Sequence, residues 1–113
     1  MDIADLDATA LTSATRRLAG RFSRWTQPRW AVSSRSGRSR ADIAHELLQE
    51  IADLAADAEG LARRPVPTLA PDSAMGDQLR VLAADLIAAK PSGEILARAT
   101  ALVEAAQRDV SAS

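Results

Sequence analysis

The sequence contains no cysteine and no tyrosine, and it has only one phenylalanine, two tryptophans and one histidine. The absence of cysteine excludes disulfide bonds, thiolate metal sites and a cysteine nucleophile. No apolar run approaches the roughly 20 residues that a membrane span needs. The N-terminal stretch MDIADLDATALTS is acidic and lacks the apolar region of a secretory signal. We therefore expect a cytoplasmic protein that has no membrane contact.

The residues that are abundant favour helices. Alanine occurs 25 times and leucine 13 times, and both are strong helix formers. The β-branched and aromatic residues that strands need are scarce. With 113 residues, we expect one all-α domain covering 1–113. Alanine side chains bury little area, so the core is thin, which favours self-association. Arginine outnumbers lysine 13 to 1, a usage typical of bacteria with GC-rich genomes.

Apolar residues recur at intervals of three and four along four segments, at about 5–25, 40–63, 73–90 and 93–110. In the first segment the stripe consists of Leu11, Ala14, Leu18, Phe22 and Trp25. We predict a small up-and-down bundle of about four helices. A long basic loop at 26–39 and a proline-rich connection at 64–71 separate the first three helices. The short connection KPSG makes the third and fourth predicted helices antiparallel neighbours.

Residues 16–40 contain eight arginines and no acidic residue. The candidate interaction surface in and around the loop comprises Arg17, Arg21, Arg24, Arg29, Trp30, Arg35, Arg38 and Arg40. We expect Trp25 to belong to the core, whereas the spacing leaves the burial of Trp30 open. Three interpretations of the loop arginines stay open: a mobile basic loop, a phosphate-binding strand in which Trp30 stacks on a base, and a docking site for an acidic protein.

An acidic ridge runs along the second predicted helix. Its members fall on one arc beside the apolar stripe: Asp42, Glu46, Glu50, Asp53 and Asp57. Arg17, Arg21 and Arg24 border the apolar stripe of the first predicted helix in the same way. If the two apolar faces meet, these charges pair across the helices, in one subunit or between two, and set their orientation more than their stability.

The sequence gives no pattern that supports catalysis. His45 begins HELLQ, in which Gln49 stands where the HExxH zinc motif has its second histidine. Asp42 and His45 have the carboxylate-x-x-His spacing of metal sites in helical bundles, but such sites need further inward carboxylates. We expect a surface histidine, no metal and no cofactor. A metal site shared between two subunits is the remaining alternative.

These features predict a non-enzymatic protein–protein interaction or regulatory module that is built on a helical bundle and forms a homodimer. Another protein is the other partner that we consider. The alternative function is nucleic-acid binding as an accessory protein, through the arginine-rich segment 16–40. The two hypotheses differ in the group that binds the arginines of the basic segment. This group is a carboxylate of the protein or its partner in the first case and a phosphate in the second.

Overall fold

A computed structural model describes residues 3–111, with side chains from Asp5 onward. Within this range the chain forms helices and no strand, apart from one isolated bridge between Ser33 and Ser39, so the all-α prediction is confirmed. The helices are α1 (Ile3–Arg24), the short α2 (Gln27–Trp30), α3 (Arg40–Glu59), α4 (Met75–Ala88) and α5 (Gly93–Ser111), with a 3-10 turn at Asp72–Ala74 before α4. No helix in the described range combines the length and the apolar character needed to cross a membrane.

In the bundle of the four long helices, α1 lies diagonally opposite α3, and α4 lies diagonally opposite α5. Both α1 and α3 pack against α4 and α5. In contrast, α1 and α3 form no major contact with each other, and neither do α4 and α5. The prediction that the two helices joined by KPSG are neighbours is therefore wrong. A short connection places only the two ends close together, and α4 and α5 then diverge because each packs between α1 and α3.

The directions of the helices also differ from an up-and-down bundle. The ends of α1 and α5 meet where Arg21 Nη1 donates to Ser111 Oγ at 2.5 Å, so these helices are parallel. The start of α4 meets the end of α1, because Gly76 packs against Ala19 and Ser23. His45 of α3 lies in the same concavity as Met75 of α4. The order is thus up, down, down, up, and α3 and α4 run parallel.

A crossover segment, residues 61–71, makes this topology possible by running back along α3. The side-chain amide of Gln49 binds this segment with both its nitrogen and its oxygen. Its Nε2 donates to the carbonyl oxygen of Arg64 at 3.0 Å, and its Oε1 accepts from the backbone amide of Val66 at 2.9 Å. Farther along, Thr68 Oγ1 lies 3.4 Å from His45 Nε2. The proline-rich connection is therefore an ordered return path and not a simple turn between antiparallel helices.

Helix α3 ends four residues before its predicted end at Arg63. Gly60 adopts a left-handed conformation with φ of 69°, and the amide of Leu61 donates to the carbonyl oxygen of Ala56 at 2.9 Å. This Schellman-type ending requires a residue that tolerates positive φ, which glycine does without strain. The predicted end at 63 lies just before the proline-rich connection and takes no account of Gly60.

Residues 26–39 follow a hydrogen-bonded path against the bundle. After α2, the amide of Arg40 donates to the carbonyl oxygen of Val32, and the amide of Ser34 donates to that of Arg38. Asp109 of α5 holds the tip of this hairpin-like loop through the amide of Ser36 at 2.8 Å. Burial acts to raise the pKa of Asp109, but hydrogen bonds from Ser36 and Ser34 outweigh it and hold the pKa below its ordinary value.

The core is built from the predicted stripes and one aromatic cluster. All five residues of the stripe in α1 are buried, as predicted. Phe22, Trp25 and Trp30 contact one another with ring centroids 4.8–5.4 Å apart. Trp30, whose burial the sequence left open, is only 1% exposed. The aromatic cluster fixes α2 against the end of α1, and tilted aromatic pairs of this kind add stability beyond the area that they bury.

Candidate functional site

The basic segment lies at one end of the bundle, where α1 and α5 end and α3 and α4 begin. We call this the basic end. Exposed arginine side chains there that form no ion pair with another described residue are Arg17, Arg24, Arg29, Arg35 and Arg108. Arg38 is also exposed and pairs with Glu46. These exposed guanidinium groups are free to meet an anionic partner, since water is their alternative contact.

Two members of the candidate interaction surface are interior residues. Trp30 belongs to the aromatic cluster, and in this arrangement it cannot stack on a base. Arg40 is 8% exposed, and its guanidinium carbon lies 4.6 Å from the centroid of the Trp25 ring. Sequence reasoning placed Arg40 on the surface because arginine is rarely buried and because its contact with Trp25 comes from a different helix, whereas it left the burial of Trp30 open.

The acidic ridge of α3 forms ion pairs with arginines outside α1. Because α1 does not pack beside α3, Arg17, Arg21 and Arg24 form no ion pair with the ridge among the described residues. Arg38 pairs with Glu46, and Arg63 of the crossover segment pairs with Asp57 at 2.7 Å and with Asp53 at 3.9 Å. Pairing of the α1 arginines with the ridge of a second subunit stays a prediction.

The surroundings of the ridge shift the pKa values of two of its carboxyl groups in opposite directions. The hydrogen bond from Arg63 holds the pKa of Asp57 below its ordinary value. Partial burial against α5, followed by the charge of Glu46, raises the pKa of Glu50, although Arg98 and Arg38 oppose this. Glu50 is thus a carboxylate that the fold disfavours in its charged form.

His45 is half-buried and faces the crossover segment, with Thr68 as its polar neighbour. The concavity around it measures about 590 Å³ and includes Asp42, Glu46 and Asp72. In the part of the chain that the structure describes, no three potential ligands of the His, Cys, Asp and Glu types come close enough to hold a metal ion. The Asp42 and His45 pair therefore lacks the further ligands that a bundle metal site needs within one subunit.

An apolar surface that the sequence did not indicate lies between the crossover segment and α4. We call it the crossover face. Its exposed apolar side chains are Leu61, which is 61% exposed, Leu69, and Val81, which is 59% exposed. A groove of about 530 Å³ beside Leu69 and Val81 is lined by these two residues, Val66 and Leu82 together with Pro65 and Pro67. A second groove, lined by Leu61 and Asp85, shares Ala52, Arg64 and Leu82 with the first, so the face is continuous.

Leu61 falls within the predicted helix at 40–63 and Val81 within the predicted helix at 73–90, and both fit the helical spacing of the apolar stripes there. Helix α3 ends before Leu61, and α4 is rotated so that Val81 points to solvent. The local pattern gave no signal for this face. It exists because the crossover segment lies beside α4, which is a long-range property of the fold.

The end of the bundle opposite the basic end is acidic. There α1 and α5 begin and α3 and α4 end, and the carboxylates are Asp5, Asp7, Asp53, Asp57, Glu59, Asp85 and Glu94, against the bases Arg63, Arg64, Lys90 and Arg98. The basic end also holds the carboxylates Asp42, Glu46, Asp72, Asp77 and Asp109, so the two ends differ by an excess of arginines at one and an excess of carboxylates at the other. Such a layout favours association in which a basic end meets an acidic end.

The described surface thus offers exposed guanidinium groups and an apolar groove. The groove has the size and the apolar lining of binding sites in proteins. Comparisons of this chain with models of protein families, with curated proteins and with solved structures find no match.

Proposed function

We propose that the protein is a non-enzymatic interaction module in the cytoplasm that forms a homodimer through the crossover face. The observation that carries the proposal is the clustering of apolar side chains on this face. Large exposed apolar side chains of the described residues are Leu6, Val32, Leu61, Leu69 and Val81, and three of these five border one continuous groove. Contiguous apolar patches of this kind typically mark interfaces, whereas scattered apolar residues do not.

Two properties favour a second copy as the partner. The crossover face carries both signs of charge, with Arg64 beside Asp77 and Asp85, so it is electrostatically compatible with itself. A two-fold axis that lies in the plane of the interface and runs perpendicular to the helix axes also places the basic end of each subunit beside the acidic end of the other. A closed dimer of this symmetry buries the same patch on both subunits.

Val81→Glu tests this proposal, with Val32→Glu as the matched control. Both valines are exposed, and only Val81 lies on the crossover face. We expect sedimentation velocity to show a dimer for the unmodified chain and for Val32→Glu, and a monomer for Val81→Glu, because a carboxylate in an apolar interface must be desolvated. A monomeric unmodified chain at high micromolar concentration would refute the proposal.

A second candidate function is nucleic-acid binding at the basic end. It is favoured by the five exposed arginines without ion pairs among the described residues, and it is weakened by the burial of Trp30. Fluorescence anisotropy with labelled DNA and RNA oligomers distinguishes it. Binding through phosphates requires an affinity that falls steeply with salt and that drops when Arg29 and Arg35 are replaced by glutamine.

A further inference from the structure

Arg40 is a buried cation that no carboxylate of the described residues neutralises. Its Nη1 donates to the backbone oxygen of Arg29 at 3.3 Å, and its Nη2 donates to that of Val110 at 3.4 Å. Both bonds are long, and Nε is buried without a hydrogen-bond partner. A guanidinium group offers five donors, so most of the capacity of Arg40 is unused or poorly used.

Among the described residues, the charged groups that act on Arg40 are positive. Arg21 lies over the same Trp25 ring as Arg40, with its guanidinium carbon 5.9 Å from the ring centroid. Burial lowers the pKa of Arg40, and the charges of Arg29 and Arg21 lower it further. The two guanidinium groups over Trp25 gain from the ring, but like charges gathered in a partly desolvated place repel one another.

The fold itself compensates this charge only in part. The carbonyl ends of α1 and α5 carry partial negative charge at the basic end, but the amino ends of α3 and α4 carry partial positive charge there, and Arg40 is itself the first residue of α3. These dipoles are weak compared with the cost of a desolvated cation. The guanidinium group of Arg40 is unfavourable in this place without an anion, because it is desolvated and repelled by neighbouring arginines. This indicates that an anion binds there.

We infer that the basic end holds a binding site for a phosphate group, formed by Arg21, Arg29 and Arg40 beside Trp25. Guanidinium forks match the oxygens of phosphate through paired hydrogen bonds. A doubly charged phosphate balances three cations better than a singly charged carboxylate does. The site contains no residue of the crossover face.

Tryptophan fluorescence provides a local test, because Trp25 and Trp30 are the only tryptophans of the chain and both lie in this cluster. Inorganic phosphate is titrated at constant ionic strength, with chloride and acetate as reference anions. We expect a saturable fluorescence change with phosphate that chloride does not produce. Arg29→Gln and Arg21→Gln should each weaken binding by about tenfold or more, since each removes a charged donor. Arg98→Gln, on α5 near Glu50, is the control and should bind like the unmodified chain.

A second arm of the titration identifies the source of the phosphate group. Tighter binding of a short DNA or RNA oligomer than of inorganic phosphate, with the same dependence on Arg29, assigns the group to a nucleic-acid backbone. Binding of phosphate without tighter binding of the oligomer assigns it to a small phosphorylated compound. An equal response to acetate, or an unchanged affinity in both arginine variants, would overturn the phosphate site. The exposed Arg29 keeps the test informative even if Arg21→Gln is unstable.

Discussion

Gly76 lies where α4 approaches α1 so closely that a side chain does not fit. A Cβ atom at this position would lie 2.7 Å from Ser23 Oγ and 2.9 Å from the backbone oxygen of Ala19. We expect Gly76→Ala to lower the free energy of unfolding by about 1–3 kcal/mol, because the two helices must separate. Gly20→Ala is the control, since nothing lies within 4 Å of its Cβ. In urea denaturation it should stabilise the protein by about 0.5–1 kcal/mol. Equal effects of the two variants would contradict the close approach.

A second prediction for a single residue concerns Glu50 and how the free energy of unfolding depends on pH. Its pKa is raised above the ordinary value of 4.5, so the folded state binds a proton more readily than the unfolded state does. The charged carboxylate therefore destabilises the fold at neutral pH, and this effect disappears as the pH falls through the raised pKa and below 4.5. Glu50→Gln should stabilise the protein by about 0.5 kcal/mol at pH 7. In urea denaturation the gain should vanish at pH 3, and a gain that persists there would contradict the assignment.

At the scale of elements, Gln49 connects the crossover segment to α3. We expect Gln49→Ala to lower the free energy of unfolding by about 1–3 kcal/mol, because the amide of Val66 and the oxygen of Arg64 lose their partner. Trypsin should then cut faster after Arg63. Gln107→Ala is the control, since Gln107 donates only to Ser111 one turn away. Unchanged proteolysis in Gln49→Ala would show that the segment is held by other contacts.

The helices could be predicted from the sequence, and their arrangement could not. The stripe from Leu11 to Trp25 is a local signal, and the same spacing correctly located α5 within one residue. The direction of α4 goes with the path of the crossover segment, which Gln49 binds at residues 15 and 17 positions later, and no local pattern encodes these contacts. Prolines that end helices also suit an extended return path, so their presence does not distinguish a turn from a crossover.

The candidate sites, like the fold, could be predicted from the sequence only in part. The arginine segment was evident from composition, but the burial of Arg40 depends on Trp25 in another helix. The crossover face was missed because Leu61 and Val81 fit helical spacing equally well when buried or exposed. In both cases the missing information is the position of one element relative to another.

For the whole molecule, the central claim is that two copies associate through the crossover face with their basic and acidic ends opposed. Opposed charges should make this association weaker at high salt, whereas burial of Leu61, Leu69 and Val81 should preserve part of it. Sedimentation equilibrium at low and high salt measures both contributions. An association that strengthens steadily with salt would indicate that the charged ends do not face each other.

The measurement that tests this claim most directly is cross-linking from single cysteines, because the natural chain contains none. Val81→Cys places a thiol on the crossover face, and Val32→Cys places one outside it. With a short bismaleimide at micromolar protein concentration, we predict rapid formation of a covalent dimer for Val81→Cys and little for Val32→Cys. Equal rates for the two variants, or faster cross-linking through Val32→Cys, would contradict the proposed interface.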